Sequence, residues 1–161
     1  MAFDAFLKLT GIVGESTDAK HKDEIEVLSY SFGASNGTNA GAGGGGAGKV
    51  QFQDFHFVSR LQSSSPQLFL ACASGQHIKE ATLTVRKAGG EQQEFLKLRM
   101  SDVFVASFQQ GGSPDSGDSL PIEQVSINYS KLDIDYSKVD SKGGIEGTVV
   151  TSWDLKSNKG G

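Results

Sequence analysis

Alternation with a period of two residues constrains this chain more than any other feature in it. In "FDAFLKL", Phe3, Ala5, Leu7 and Leu9 fall on one side and Phe6 on the other. "EIEVLSYSFGAS" sets Leu28, Tyr30 and Phe32 against Ser29 and Ser31. In "KVQFQDFHFVSR", Val50/Phe52 and Phe55/Phe57 alternate but change parity near Gln53-Asp54, which predicts a bulge. The pattern returns in "KEATLTVRKA", "EFLKLRMSDVFVASF", "EQVSINYSKLDIDYS" and "GTVVTSWDLKS". Turns such as "AGGE" and "GGSPDSGDS" punctuate these runs. Side chains alternate across a strand, so the chain is predicted to be mainly β, an antiparallel sandwich or barrel.

One segment departs from that period. "SSSPQLFLACASGQ" places Ser65 as N-cap, Pro66 at the first helical position and Gly75 as the stop. Leu68, Ala71 and Cys72 share one face of this helix, which is too short to be stable alone and must pack on the sheet or plug a barrel end. Cys72 reads as a small buried hydrophobe.

With 161 residues, the chain is read as one domain, 1–161, with a single core. No run approaches the about 20 apolar residues of a membrane span, and Asp4 and Lys8 interrupt what would be the apolar part of a signal peptide. Membrane insertion and a Sec leader are therefore not expected. The single cysteine cannot form an internal disulfide, which points to a reducing compartment for folding. A net charge of −4 argues against nucleic acid as a partner.

The glycine-rich stretch "GAGGGGAGKV" comes within one letter of a phosphate-binding loop. That loop needs a hydroxyl after the lysine and a helix behind it. Here Val50 follows Lys49, and "VQFQDFHFV" alternates as a strand. Nucleotide binding is therefore not expected, and no cofactor is. His21, His56 and His77 lie far apart, and no His/Cys pair has zinc-finger spacing. His56 opposes Phe55 and Phe57 in parity, which gives it a solvated or hydrogen-bonded role. Asp133 and Asp135 share a strand face, and two carboxylates so placed suit acid–base chemistry, but alternation with Leu132, Ile134 and Tyr136 makes them the wet side of an amphipathic strand. The charges of "AKHKDEIE" read as a solvated turn. No catalytic constellation stands out, so the chain is not expected to be an enzyme.

Two stretches, "GESTDAKHKDEIEVLSYSFGAS" and "ATLTVRKAGGEQQEFLKLRM", with the glycine loop and "SPQLFLACASG" between them, resemble Hcp. This is the haemolysin-coregulated family of bacterial type VI secretion systems. The resemblance runs from "FLKL" to the strand holding Trp153. The sequence stops at "SNKGG", so the toxin domain of enlarged members is not expected.

The resemblance implies a small antiparallel β-barrel of two packed sheets, one short α-helix and a long Gly-rich loop. It further implies hexameric rings that stack into the inner tube of a contractile apparatus. Its partners would be other copies of itself, the sheath, a VgrG-type spike and small effectors held in the channel. Assembly would be cytoplasmic, followed by secretion or delivery into a target cell. The loop carrying Asn39, Gly43, Gly44, Gly45, Gly46, Gly48 and Lys49 would reach a neighbouring subunit or the next ring. Ser29 and Ser31, on the small polar face of their strand, would line the channel, with Leu28, Tyr30 and Phe32 in the core. A solvated outer face would produce the same pattern, and a surface loop without contacts the same glycines. A soluble β-sandwich binding glycans or another ligand is the competing reading; a single Trp153 gives it little support.

Overall fold

The alternating runs become strands in the computed structural model, which describes residues 2–37, 49–115, 117 and 120–161. They are β1 (Phe3–Leu9), β2 (Ile25–Asn36), β3 (Val50–Arg60), β4 (Ile78–Lys87), β5 (Glu94–Gly111), β6 (Ile122–Asn128), β7 (Lys131–Val139), β8 (Ile145–Asp154) and the two-residue β9 (Lys159–Gly160). The run "EQVSINYSKLDIDYS" divides into β6 and β7. The break falls at Tyr129-Ser130, where the Tyr129 hydroxyl donates to the Gln53 carbonyl at 2.9 Å and the Ser130 amide to the Ser101 carbonyl at 3.0 Å.

All pairings are antiparallel, in the order β4-β1-β2-β3-β6-β5-β7-β8-β9, and a further β4–β5 pairing closes six of the strands into a barrel. The 18-residue β5 makes this possible. Its first half lies between β4 and β7, from Leu98 opposite Leu83 and Ile134 to Ser101 opposite Glu80 and Lys131. Its second half, from Phe104 onward, pairs with β6, with a register shift between Val105 and Ser107. One strand thus belongs to both sheets, and β7–β8 extends one of them beyond the barrel.

The barrel interior holds Leu7, Ile25, Phe55, Phe57, Leu83, Leu98, Met100 and Ile127, all fully buried. Burial of each such side chain contributes about 1.5–3 kcal/mol. The bulge expected near Gln53-Asp54 is present: the partners of Ser31 and Gly33 are His56 and Gln53, so one extra β3 residue is accommodated. A second irregularity went unforeseen. Val27 faces Ser59 while Ser29 faces Val58, which squeezes Leu28 out of the ladder. Leu28 is 42% exposed and does not join Tyr30 and Phe32 against the core. Phe3, at the start of β1, is likewise exposed.

The helix α1 (Ser65–Ser74) turns Leu68 and Ala71 into the core, with Cys72 half-buried beside them. Its N-cap is Ser64 and not Ser65. The Ser65 hydroxyl instead accepts from the Gln62 amide at 3.0 Å, tying the helix start to the end of β3. Gly75 ends the helix in the left-handed region at φ 66°, which only glycine adopts without strain. No described helix is long and apolar enough to cross a membrane.

Candidate assembly surfaces

The outer face of β2, β3 and β6 carries Ser29, Ser31, His56, Val58, Gln124 and Ser126, because the pleat sends every second residue outward. Ser29 and Ser31 are both exposed there, across from Val58 and His56. His56 Nδ1 lies 3.0 Å from Ser126 Oγ, which gives the histidine the hydrogen-bonded role its parity predicted. Lys49 is exposed where the glycine segment rejoins β3. Asn39, Gly43, Gly44, Gly45, Gly46 and Gly48 lie outside the described residues.

Several strand edges lack a partner strand among the described residues, including β3 from Val50 to Asp54 on its β6 side and β5 from Phe104 to Gly111 on the side away from β6. The β1–β2 pairing stops at Val27, so Leu28–Ser35 has a partner strand only on the β3 side. The β8–β9 pairing reaches only Trp153 and Asp154, which leaves the outer edge of β8 from Ile145 to Thr151 unpaired. Ile145, Val149 and Val150 on that strand are more than half exposed. An edge this long and apolar is a template for pairing with another chain.

Between the open edges of β2 and β8, residues of β2, β3, β7 and β8 wall a groove. The apolar groove so formed has a volume of 490 Å³ and is lined chiefly by Phe32, Val50, Phe52, Leu132, Ile134 and Trp153. Gly160 lets β9 approach the Trp153 ring, since a Cβ there would sit 2.5 Å from Cε3. Against β5, α1 presents the opposite shape. Phe69 and Leu70 are 58% and 60% exposed, and Phe69 meets Phe108 of β5 edge-on at 6.0 Å.

The other outer face, on β1, β4 and the first half of β5, is covered in part by the segment preceding β2. Its "AKHKDEIE" charges are only in part a solvated turn: Lys20, Lys22, Asp23 and Glu26 are exposed, but His21 and Glu24 turn inward. His21 is buried and stacks on Phe6 at 4.4 Å, with Nδ1 2.9 Å from Glu24 and Nε2 3.0 Å from Glu94. The Arg86 guanidinium lies 4.8 Å from the Phe6 ring centroid and donates to both Asp18 oxygens and to Asp4. Bonding to Arg86 holds the Asp18 carboxyl at about 2. Phe6, placed on the non-core side by its parity, is therefore buried under a clasp and not by the barrel. A polar cleft of 540 Å³ beside it is lined by Lys8, Lys20, Lys97 and their neighbours.

At the corner where β5 crosses between sheets, Asp102 accepts from Lys156 Nζ at 2.9 Å and from Ser130 Oγ at 3.2 Å, and lies 2.9 Å from His77 Nε2. These contacts lower its carboxyl to about 2, Lys156 first among them. Asp135 pairs with Arg99 at 3.5 Å, while Asp133 lies across from Arg99 and Ser152. The two carboxylates thus sit on an ion-paired sheet face. Among the described residues no three His, Cys, Asp or Glu side chains are grouped to hold a metal.

What dominates the surface is therefore edges, faces and a groove, the features of a subunit. The family pattern described as "Type VI secretion system effector, Hcp" matches residues 6–136. The chain belongs to the Hcp family. It is 41% identical over 161 residues to protein hcp1 of Pseudomonas aeruginosa, covering 98% of each chain. A solved type six secretion system protein superposes with a TM-score of 0.93 at 30% identity, over 99% of this chain and 100% of that one. Hcp1 from Salmonella typhimurium gives 0.80 at 37% identity, over 99% of each. As an Hcp-family protein, the chain is a self-assembling subunit of the type VI secretion tube. The ligand-binding β-sandwich is the less favoured reading.

Proposed function

We propose that this Hcp-family chain closes into hexameric rings that stack as the inner tube of a contractile sheath. The tube is capped by a VgrG-type spike, expelled on contraction, and carries small effectors in its channel. The open edges of β2 and β8 carry this reading: each leaves backbone donors and acceptors that a neighbouring copy can satisfy. Contacts between unlike edges are heterologous, and such contacts close into rings or propagate as open stacks. Ser29 and Ser31 face the channel in this arrangement. Their small uncharged side chains offer hydrogen bonds without a grip strong enough to prevent release. The glycine segment ending at Lys49 reaches the next subunit or ring. Catalysis has no part in the mechanism.

Light scattering with negative-stain imaging of the purified protein tests the assembly. Rings of hexamer mass are expected, and a stable monomer across concentrations would sink the proposal. In the same preparations, Ser29→Trp/Ser31→Trp is expected to leave the fold intact and to reduce effector retention. The channel placement fails if neither ring assembly nor retention changes.

A further inference from the structure

We propose that Asn36 is a self-modifying residue: it deamidates without an enzyme, and the carboxylate so formed undoes the last rung between β2 and β3. The reaction belongs to a single chain and proceeds whether or not rings form.

The chemistry is set by one neighbour. Of the four asparagines in the chain, Asn36 alone is followed by glycine; Asn39, Asn128 and Asn158 precede Ala40, Tyr129 and Lys159. The main-chain nitrogen of Gly37, once it gives up its proton to water, attacks Asn36 Cγ. A new C–N bond closes a cyclic imide, the bond from Cγ to the side-chain nitrogen breaks, and that nitrogen leaves as ammonia. Water then opens the ring at either carbonyl, giving aspartate or isoaspartate. In sum one water is consumed and one ammonia released, with no oxidation or reduction. A side chain on the attacking residue would crowd this approach, and glycine has none.

The place in the fold permits what the sequence offers. Asn36 is exposed at the end of β2, and Gly37 beside it is exposed and outside the ladder. A Cβ on Gly37 would meet no described atom within 4 Å, so the space around it is open. The strand must let go of Asn36 for the imide to close, and here that costs little. Asn36 pairs with Val50 as the last rung of the β2–β3 ladder, while the β1–β2 pairing has already stopped at Val27. Fraying ends of this kind open with free energies near zero. Asn128 also ends a strand, but the buried Tyr129 follows it.

The product does not fit where the amide did. Asn36 and Val50 both border the apolar groove that Phe32 and Phe52 line. An ionised carboxylate costs more to hold against such a wall than a neutral amide. In isoaspartate the main chain runs through the former side-chain carbon, which adds a methylene ahead of Gly37 and shifts the rung out of register. Aged copies are thereby marked with a negative charge where β2 ends.

Peptide mapping of purified protein stored at physiological temperature, at neutral and at mildly alkaline pH, tests the modification. The expected result is a gain of one mass unit at Asn36 ahead of any other asparagine, split between aspartate and isoaspartate and faster at the higher pH. Gly37→Ala is expected to slow that gain at least severalfold without lowering the melting temperature. The proposal is overturned if Asn36 keeps its amide, if Asn39, Asn128 or Asn158 converts first, or if Gly37→Ala converts as fast as wild type. Should Gly37→Ala fail to fold, Asn36→Gln replaces it, and a gain that persists at that position overturns the proposal. Hydrogen exchange tests the consequence. In aged protein and in Asn36→Asp, the peptide holding Val50 and Gln51 is expected to lose protection, and protection equal to that of fresh wild type would overturn the effect on the rung.

Discussion

Arg86 shows how much one buried charge can organise. It is only 3% exposed, and a guanidinium so placed needs its partners close and well aligned. Asp18 supplies both oxygens, Asp4 a third contact and Phe6 a ring face. The Asp18 carboxyl falls from 3.8 to about 2, so its ionised form is favoured by folding. That contribution to stability is complete above pH 3.8 and is lost as the pH falls through about 2. Asp18→Asn should therefore be less stable than wild type at neutral pH, and the gap should narrow as the pH falls across that window. Urea unfolding on either side of the window measures it, and a gap independent of pH would remove Asp18 from the clasp. Neither this clasp nor the burial of His21 beside it was legible in "AKHKDEIE" and the Asp18 that precedes it. A run of charges looks the same whether it faces water or closes over a phenylalanine, because the partners Arg86 and Glu94 are distant in sequence.

At the scale of elements the strands were readable and their edges less so. Inward positions followed parity through most of the regular ladders, as in Leu7, Leu9, Phe55 and Phe57, with Phe3 and Phe6 as exceptions in β1. Parity failed at Leu28, where a register shift flips the count. The bulge in β3 was foreseen because two pairs of aromatic and aliphatic residues disagreed in phase; β2 carried the same signal, Ile25/Val27 against Tyr30/Phe32, but Leu28 fitted the pattern after it and masked the change. The helix was recognised from Pro66 and Gly75, whose constraints are those of single residues. Its N-cap was misplaced by one because three serines precede the proline and any could cap. Gly75→Ala should cost about 1 kcal/mol, since φ 66° forces a Cβ against the carbonyl. Chemical denaturation checks this, and a neutral result would mean that the helix end can rearrange.

For the molecule as a whole, alternation tells which side of a strand is wet but not what that side meets. That is why Ser29 and Ser31 could be set apart by sequence while the groove and the β8 edge could not. The groove exists only where strands far apart in the chain meet. Deleting Gly41 to Gly46 bears on the longer range of assembly. Rings are expected to form with stacking and secretion reduced; unchanged stacking and secretion would show that the segment has no role between rings.

One last consequence belongs to β5, which runs through both sheets without interruption. A push along its direction loads its ladders to β4, β6 and β7 in shear, so many backbone bonds must yield together. A load that peeled strands apart would instead break them one at a time. A subunit driven forward by a contracting sheath would be braced along its own spine.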